Sequence, residues 1–203
     1  MQEFRYDSDL IGGSLLVREC RIIAELLLEQ TDEEGWQQAI YSDNRLQKRS
    51  PATARRQARA LRQRLERLDE PFWRALRDGD DELATQVAFV AALERNLLLV
   101  EFLEIFVRDA FILKTEKLAQ YQWMDFLEDR AHRDPTIADW TESSKKKMGQ
   151  VAFRILAEVG LLQSTRSLRL QNILVRPEIN VLLDDSRRYH IKACLNVSSA
   201  NPA

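Results

Sequence analysis

A chain of 203 residues, 45% hydrophobic and 31% charged, has material for a buried core and is too apolar to be a disordered tail. Thirty Lys and Arg against 32 Asp and Glu leave a net charge of −2, so total charge points to no partner and any electrostatic signal must lie in its distribution. Six Gly and five Pro are few, which predicts long helices, few β-turns and a mostly α fold.

The opening MQEFRYDSDL has no basic region followed by an apolar run, so no secretory signal is expected. Ser14 to Glu29 reads as an amphipathic helix after Gly12-Gly13, with Ser14 as its cap. A shorter helix is expected from about Glu33 to Tyr41, with Trp36 and Ile40 inward. Ser50-Pro51 is a strong start signal for a helix of about 18 residues. Ala54, Ala58, Leu61, Leu65 and Leu68 draw a narrow apolar stripe along it. Asp80 to Leu118 is helical in character and apolar enough to be core, and Arg95-Asn96 either separates two helices or bends one. No uncharged stretch, Leu83 to Leu93 included, approaches the roughly 20 residues of a membrane span, so no membrane insertion is expected.

After Leu118 the rhythm changes. Tyr121 to His132 reads as a helix stopped by Asp134-Pro135, followed by a short helix at Ile137 to Trp140 and a capped one from about Thr141 to Val159, ending at Gly160. Leu161-Leu162 and the alternation around Leu168 to Leu170 suggest a short β-hairpin. The expected organisation is an N-terminal helical bundle over residues 1–118, a winged-helix-like unit over 121–185, opening its last short helix at Pro177, and a C-terminal tail over 186–203.

Signals for catalysis are weak. No phosphate-binding glycine loop is present. Cys20 and Cys194 stand far apart without a CxxC partner, which excludes a disulfide framework and fits a reducing cytoplasm. His190 and Cys194 are one turn apart but supply only two of the three or four ligands zinc requires, and Asp7, Asp9 and Asp184-Asp185 read as solvated turn residues. No cofactor, metal or enzymatic role is expected.

The basic run is the exception. Arg45, Lys48, Arg49, Arg55, Arg56, Arg59, Arg62, Arg64 and Arg67 face only Glu66, a charge of +8 in 23 residues, so the remainder of the chain carries about −10. At about 100° per residue Arg55, Arg59 and Arg62 share one flank beside the apolar stripe, a ridge about 10 Å long, comparable with a few phosphates of a nucleic-acid strand. Guanidinium forks suit phosphate. Acidic helices of the same chain could equally pair with them. Lys145, Lys146 and Lys147 form a second cluster early in the last long helix, where they oppose the helix dipole, and Arg166 and Arg169 lie in the presumed wing. A plain solvated lysine face is the alternative there.

Three segments, FRYDSDLIGGSLLVRECRIIAELLL, NRLQKRSPATARRQARALRQRL and TESSKKKMGQVAFRILAEVGLL, in this order and at this length, resemble the BrxA family of bacteriophage exclusion (BREX) defence systems. The resemblance implies a non-enzymatic double-stranded-DNA-binding component with a helical fold similar to NusB. It also implies partners among an adenine methyltransferase, a large ATPase and a phosphatase-like protein. The nucleic-acid-binding set expected is Arg49, Arg55, Arg56, Arg59 and Arg62 with Lys145, Lys146, Lys147, Arg166 and Arg169. Of these, the resemblance itself carries only the Arg55-Arg56 pair and its downstream arginines. RNA binding, or a purely protein-assembly role without nucleic-acid contact, remains open.

Overall fold

The structure, a computed structural model, describes residues 6–199. The first five residues, part of the amino-terminal reading, and residues 200–203 of the expected tail lie outside the described residues. The chain is mostly helical: α1 (Val17–Leu28), α2 (Glu33–Gln37), α3 (Pro51–Leu65), α4 (Glu70–Asp78), α5 (Asp81–Arg95), α6 (Leu97–Phe102), α7 (Arg108–Ile112), α8 (Gln122–Ala131), α9 (Glu142–Glu158), α10 (Pro177–Asp185) and α11 (Tyr189–Leu195). Two compact units result, each drawn from separate stretches of chain. One comprises Leu15–Arg95 and Arg176–Arg187; the other takes the segment up to Ser14, Asn96–Val175 and the segment from Arg188 onward.

In the first unit α1 packs on α3, α4 and α5, and α10 lies against α5. Helix α3 begins as its sequence dictates, with the Ser50 hydroxyl accepting the Thr53 amide at 3.2 Å and Pro51 in the first turn, where its missing N–H costs nothing. Ala54, Ala58, Leu61 and Leu65 along it are buried, and so is Leu68, which lies just past the end of this 15-residue helix and not on it as expected. Trp36 and Ile40 are buried too, on α2 and on the π-helical turn Gln38–Ser42 that continues it. Ser14 is not the cap of α1. Fully buried Leu15 and left-handed Leu16 (φ 52°) lead the chain in, and no side chain caps that end. Helix α4 has no counterpart in the expectations from sequence, because only Phe72 and Leu76 are buried along its nine residues, too few to reveal a period.

In the second unit the open question at Arg95-Asn96 resolves as two helices. Asn96 is extended, and its side-chain oxygen accepts the Leu99 amide at 3.0 Å, so a cap supplies the break without Pro or Gly. Helix α6 runs through the π-helical turn Leu103–Val107 into α7 and stops at Ile112, short of Leu118. Asp134 accepts the Thr136 amide at the head of the 3-10 turn Pro135–Asp139, and Thr141 accepts the Ser144 amide to cap α9. Gly160 ends α9 at φ +92°. The segment after Arg188 is no loose tail as far as Ser199: Ile191, Cys194 and Leu195 of α11 are buried, and the 3-10 turn Asn196–Ser199 buries Val197.

The expected β-hairpin does not form. Among the described residues there are only two isolated antiparallel bridges, Leu162 with Leu170 and Lys117 with Arg169. The Ser164 hydroxyl captures the Ser167 amide, and Leu168 takes a left-handed backbone at φ 51°, which breaks the alternation a ladder needs after one bridge on either side.

Aromatic packing holds α8 and α9 to α6. Phe102 touches Phe106, Trp123, Phe126 and Phe153, with ring centroids 5.1 to 5.8 Å apart. Helices α8 and α9 pack tightly at Gly149, where an added Cβ would stand 2.7 Å from Trp123 Cδ1. The same indole donates to the Lys145 carbonyl at 3.1 Å. Ala is normally the better helix residue by about 1 kcal/mol, but here the contact reverses that order. Gly149→Ala should therefore lower stability by about 1 to 3 kcal/mol in urea unfolding, whereas Ser143→Ala on the exposed side of α9 should stay within about 0.5 kcal/mol.

Candidate nucleic-acid interface

Helix α3 turns its apolar stripe inward, and that orientation places its arginines. Arg55, Arg56 and Arg59 are exposed, as is Arg49 just ahead of the helix. None of these four has a carboxylate within ion-pair distance among the described residues. The guanidinium carbon of Arg55 lies 5.0 Å from the centroid of the Tyr41 ring, a cation–π contact.

Three further members of the basic run are engaged within their own unit. Arg45 pairs with Glu25 at 2.5 Å, and Lys48 reaches Glu19 at 2.7 Å. Arg62 pairs with Glu66 at 2.7 Å and lies 4.5 Å over the Trp36 ring, with Glu33 at 3.7 Å. Arg64 is buried. The expectation that acidic residues of this chain might neutralise the run is thus met for Arg45, Lys48 and Arg62 and not for the outward four.

Glu19, the partner of Lys48, is buried. Burial acts to raise its pKa, but the hydrogen bond and charge of Lys48, a backbone amide and Arg18 outweigh burial and hold the carboxyl below its ordinary value. A depressed carboxyl contributes stability above its unfolded-state pKa and loses it as pH falls through the folded one. Glu19→Gln should destabilise the protein by about 1 to 3 kcal/mol at neutral pH, and the deficit should shrink between about pH 5 and pH 3 in chemical denaturation. An unchanged deficit across that range would contradict this assignment.

The second cluster lies on α9 in the other unit. Lys146 and Lys147 are exposed and carry no ion pair among the described residues, whereas Lys145 is largely covered and bonds Glu142 at 3.2 Å. Gln150 and Arg154 continue the same exposed face at four-residue steps from Lys146. Neither was singled out from sequence, although the 146, 150, 154 spacing was there to read. These three residues border a groove of about 470 Å³ together with Tyr121, Met124 and Thr165. Arg166 is exposed in the turn after α9, and Arg169 is bonded to Glu116.

Asp7 accepts the Asp9 amide at 2.9 Å, a turn role, and Asp184 and Asp185 end α10 at the surface. His190 and Cys194 do acquire a neighbour that the sequence could not name, Glu104, whose Oε1 lies 2.7 Å from His190 Nε2.

A sequence model of the BrxA family matches residues 4–187. The chain belongs to the BrxA family. It is 38% identical to the BREX protein BrxA of Paramagnetospirillum magneticum over 98% of this chain and all of that protein. The BREX protein BrxA of Escherichia coli is 37% identical over 86% of this chain and 82% of its own length. A solved structure, an uncharacterized protein from Magnetospirillum magneticum, superposes with a TM-score of 0.88 at 36% identity, covering 96% of this chain and all of that one. Among the described residues of this BrxA-family chain no helix is long and apolar enough to cross a membrane.

Proposed function

We propose that this chain is a component of a BREX phage-defence system that binds double-stranded DNA through phosphate contacts and works by binding rather than by turnover. One observation carries the reading: Arg49, Arg55, Arg56 and Arg59 stand exposed and unpaired among the described residues of a chain whose net charge is −2. Four such cations repel one another, and a polyanion relieves that repulsion while releasing its own condensed counterions.

Family membership supports the BREX assignment, since the relatives carry that name. The methyltransferase, ATPase and phosphatase-like protein of such systems are the partners we propose beside DNA, with the cytoplasm as the compartment. For α9, support comes from element order. The helical run ending at α7, the bridged residue Lys117, then α8, α9 and the bridged residues Leu162 and Leu170 follow one another in the order of a winged helix, with isolated bridges where its strands would stand. On that reading α9 is the recognition helix, Lys146, Lys147 and Arg154 line its outer face, and Arg166 sits in the wing. A NusB-like bundle for the helices before it is part of the same proposal. Lys145, Arg62 and Arg169, already bonded within their units, are then secondary contacts.

An electrophoretic shift on duplex DNA across a salt series tests this. With roughly five phosphates engaged, log affinity should fall with log salt at a slope of about −4 to −5. Changing Arg55, Arg56 and Arg59 together to Ala should flatten the slope by about 3, and Lys146→Ala with Lys147→Ala by about 2. A salt-independent shift, or full retention by the triple variant, would remove the DNA reading. Equal competition by duplex RNA would transfer the same surface to RNA.

A further inference from the structure

Helix α11 places His190 and Cys194 one turn apart on the same side, and the neighbouring α6–α7 run brings Glu104 to them. The three donor atoms, an imidazole nitrogen, a thiol sulfur and a carboxylate oxygen, lie within 4.8 Å of one another. Glu104 belongs to the π-helical turn Leu103–Val107, a widened turn of the kind that tends to occur at functional sites. Cys194 is buried and His190 exposed, so the cluster reaches from the interior to solvent. Beside it lies a cavity of about 300 Å³ whose walls include Glu104, Arg108, Cys194 and Ser199.

We propose that Glu104, His190 and Cys194 form a zinc site with three protein ligands and a fourth position open to that cavity. The donor set matches what Zn²⁺ prefers, one nitrogen, one sulfur and one oxygen, and a carboxylate with a thiolate balances its two charges. Three ligands plus an exchangeable position is the usual arrangement where zinc does more than brace a fold.

The geometry of the metal-free cluster is consistent with this. Glu104 and His190 share a hydrogen bond of 2.7 Å. On metal binding that bond gives way, and the two atoms separate to about 3.3 Å, the distance between tetrahedral ligands held at about 2.0 to 2.1 Å from zinc. The Cys194 sulfur closes in to about 2.3 Å from the ion and its thiol proton leaves to solvent. Without metal, burial first and the Glu104 charge second push the Cys194 thiol up to about 12, against a smaller opposing effect of Arg108.

The experiment uses the full chain, stripped with chelator and titrated with Co²⁺ as a spectroscopic stand-in for zinc. One equivalent should bind, giving the near-ultraviolet thiolate-to-cobalt band and intense tetrahedral absorption, both bleached by one equivalent of Zn²⁺. Cys194→Ser should abolish the thiolate band. Glu104→Gln, at a half-buried position where the amide can still bond His190, should weaken binding by more than about tenfold, a loss that even a partner behind the ligand produces. His190→Gln should do the same, and Cys20→Ser should change nothing. Circular dichroism confirms that each variant is folded; if Cys194→Ser is not, Glu104→Gln decides. No stoichiometric binding by the unaltered chain, a thiolate band that survives in Cys194→Ser, or wild-type affinity in Glu104→Gln overturns the proposal.

Discussion

Helix α3 can hold its arginines outward only because its other side is fixed. Five small or branched apolar residues at steps of four and three seat it against α1 and α5, and a helix seated on so narrow a stripe has no rotational freedom left. The side chains that remain must face solvent or find partners. Arg45, Lys48 and Arg62 find carboxylates on α1, in the first turn of α2 and just past the end of α3, whereas among the described residues Arg49, Arg55, Arg56 and Arg59 find none. The cationic surface is therefore a remainder, what the unit does not neutralise internally, and its position follows from hydrophobic docking.

The second unit shows a related division between buried and outward charge. Glu101 is buried and accepts hydrogen bonds from Tyr6, Arg130 and Arg133 at 2.7 to 3.0 Å, so those two arginines are committed to holding the fold. Lys146, Lys147 and Arg154 are exposed and have no ion pair among the described residues. Counting basic residues along a sequence treats all of them alike; the arrangement of carboxylates around them separates the structural from the available.

Helix α9 carries three demands on one set of residues. Its inner face supplies Phe153 to the aromatic cluster, Gly149 lets α8 come within contact of the backbone, and its outer face presents lysines that weaken its own amino-terminal turn. The Thr141 cap and Glu142 at the start of the helix offset part of that dipole cost. Such an arrangement is intelligible where the lysines meet a negative partner and is wasteful otherwise.

Local rules were enough to read α3, the buried stripe along it, the Thr141 cap, the Gly160 terminator and the family from sequence, because capping, helix periodicity and extended similarity need no knowledge of distant residues. They were not enough for α4, whose two buried residues show no period, nor for the strands, where alternation in three residues gave way to a hydroxyl-capped turn and a left-handed Leu168. The basic ridge was legible as a density of charge, but the neutralisation of Arg45 and Lys48 was not, since it depends on Glu25 and Glu19, which lie far from their partners in sequence. Glu104 beside His190 and Cys194 is the extreme case: it lies 86 residues before His190 and meets that pair only because α11 folds back onto the α6–α7 run. Sequence determines what each segment prefers to be; pairing between remote side chains is a property of packing, and only the folded chain decides it.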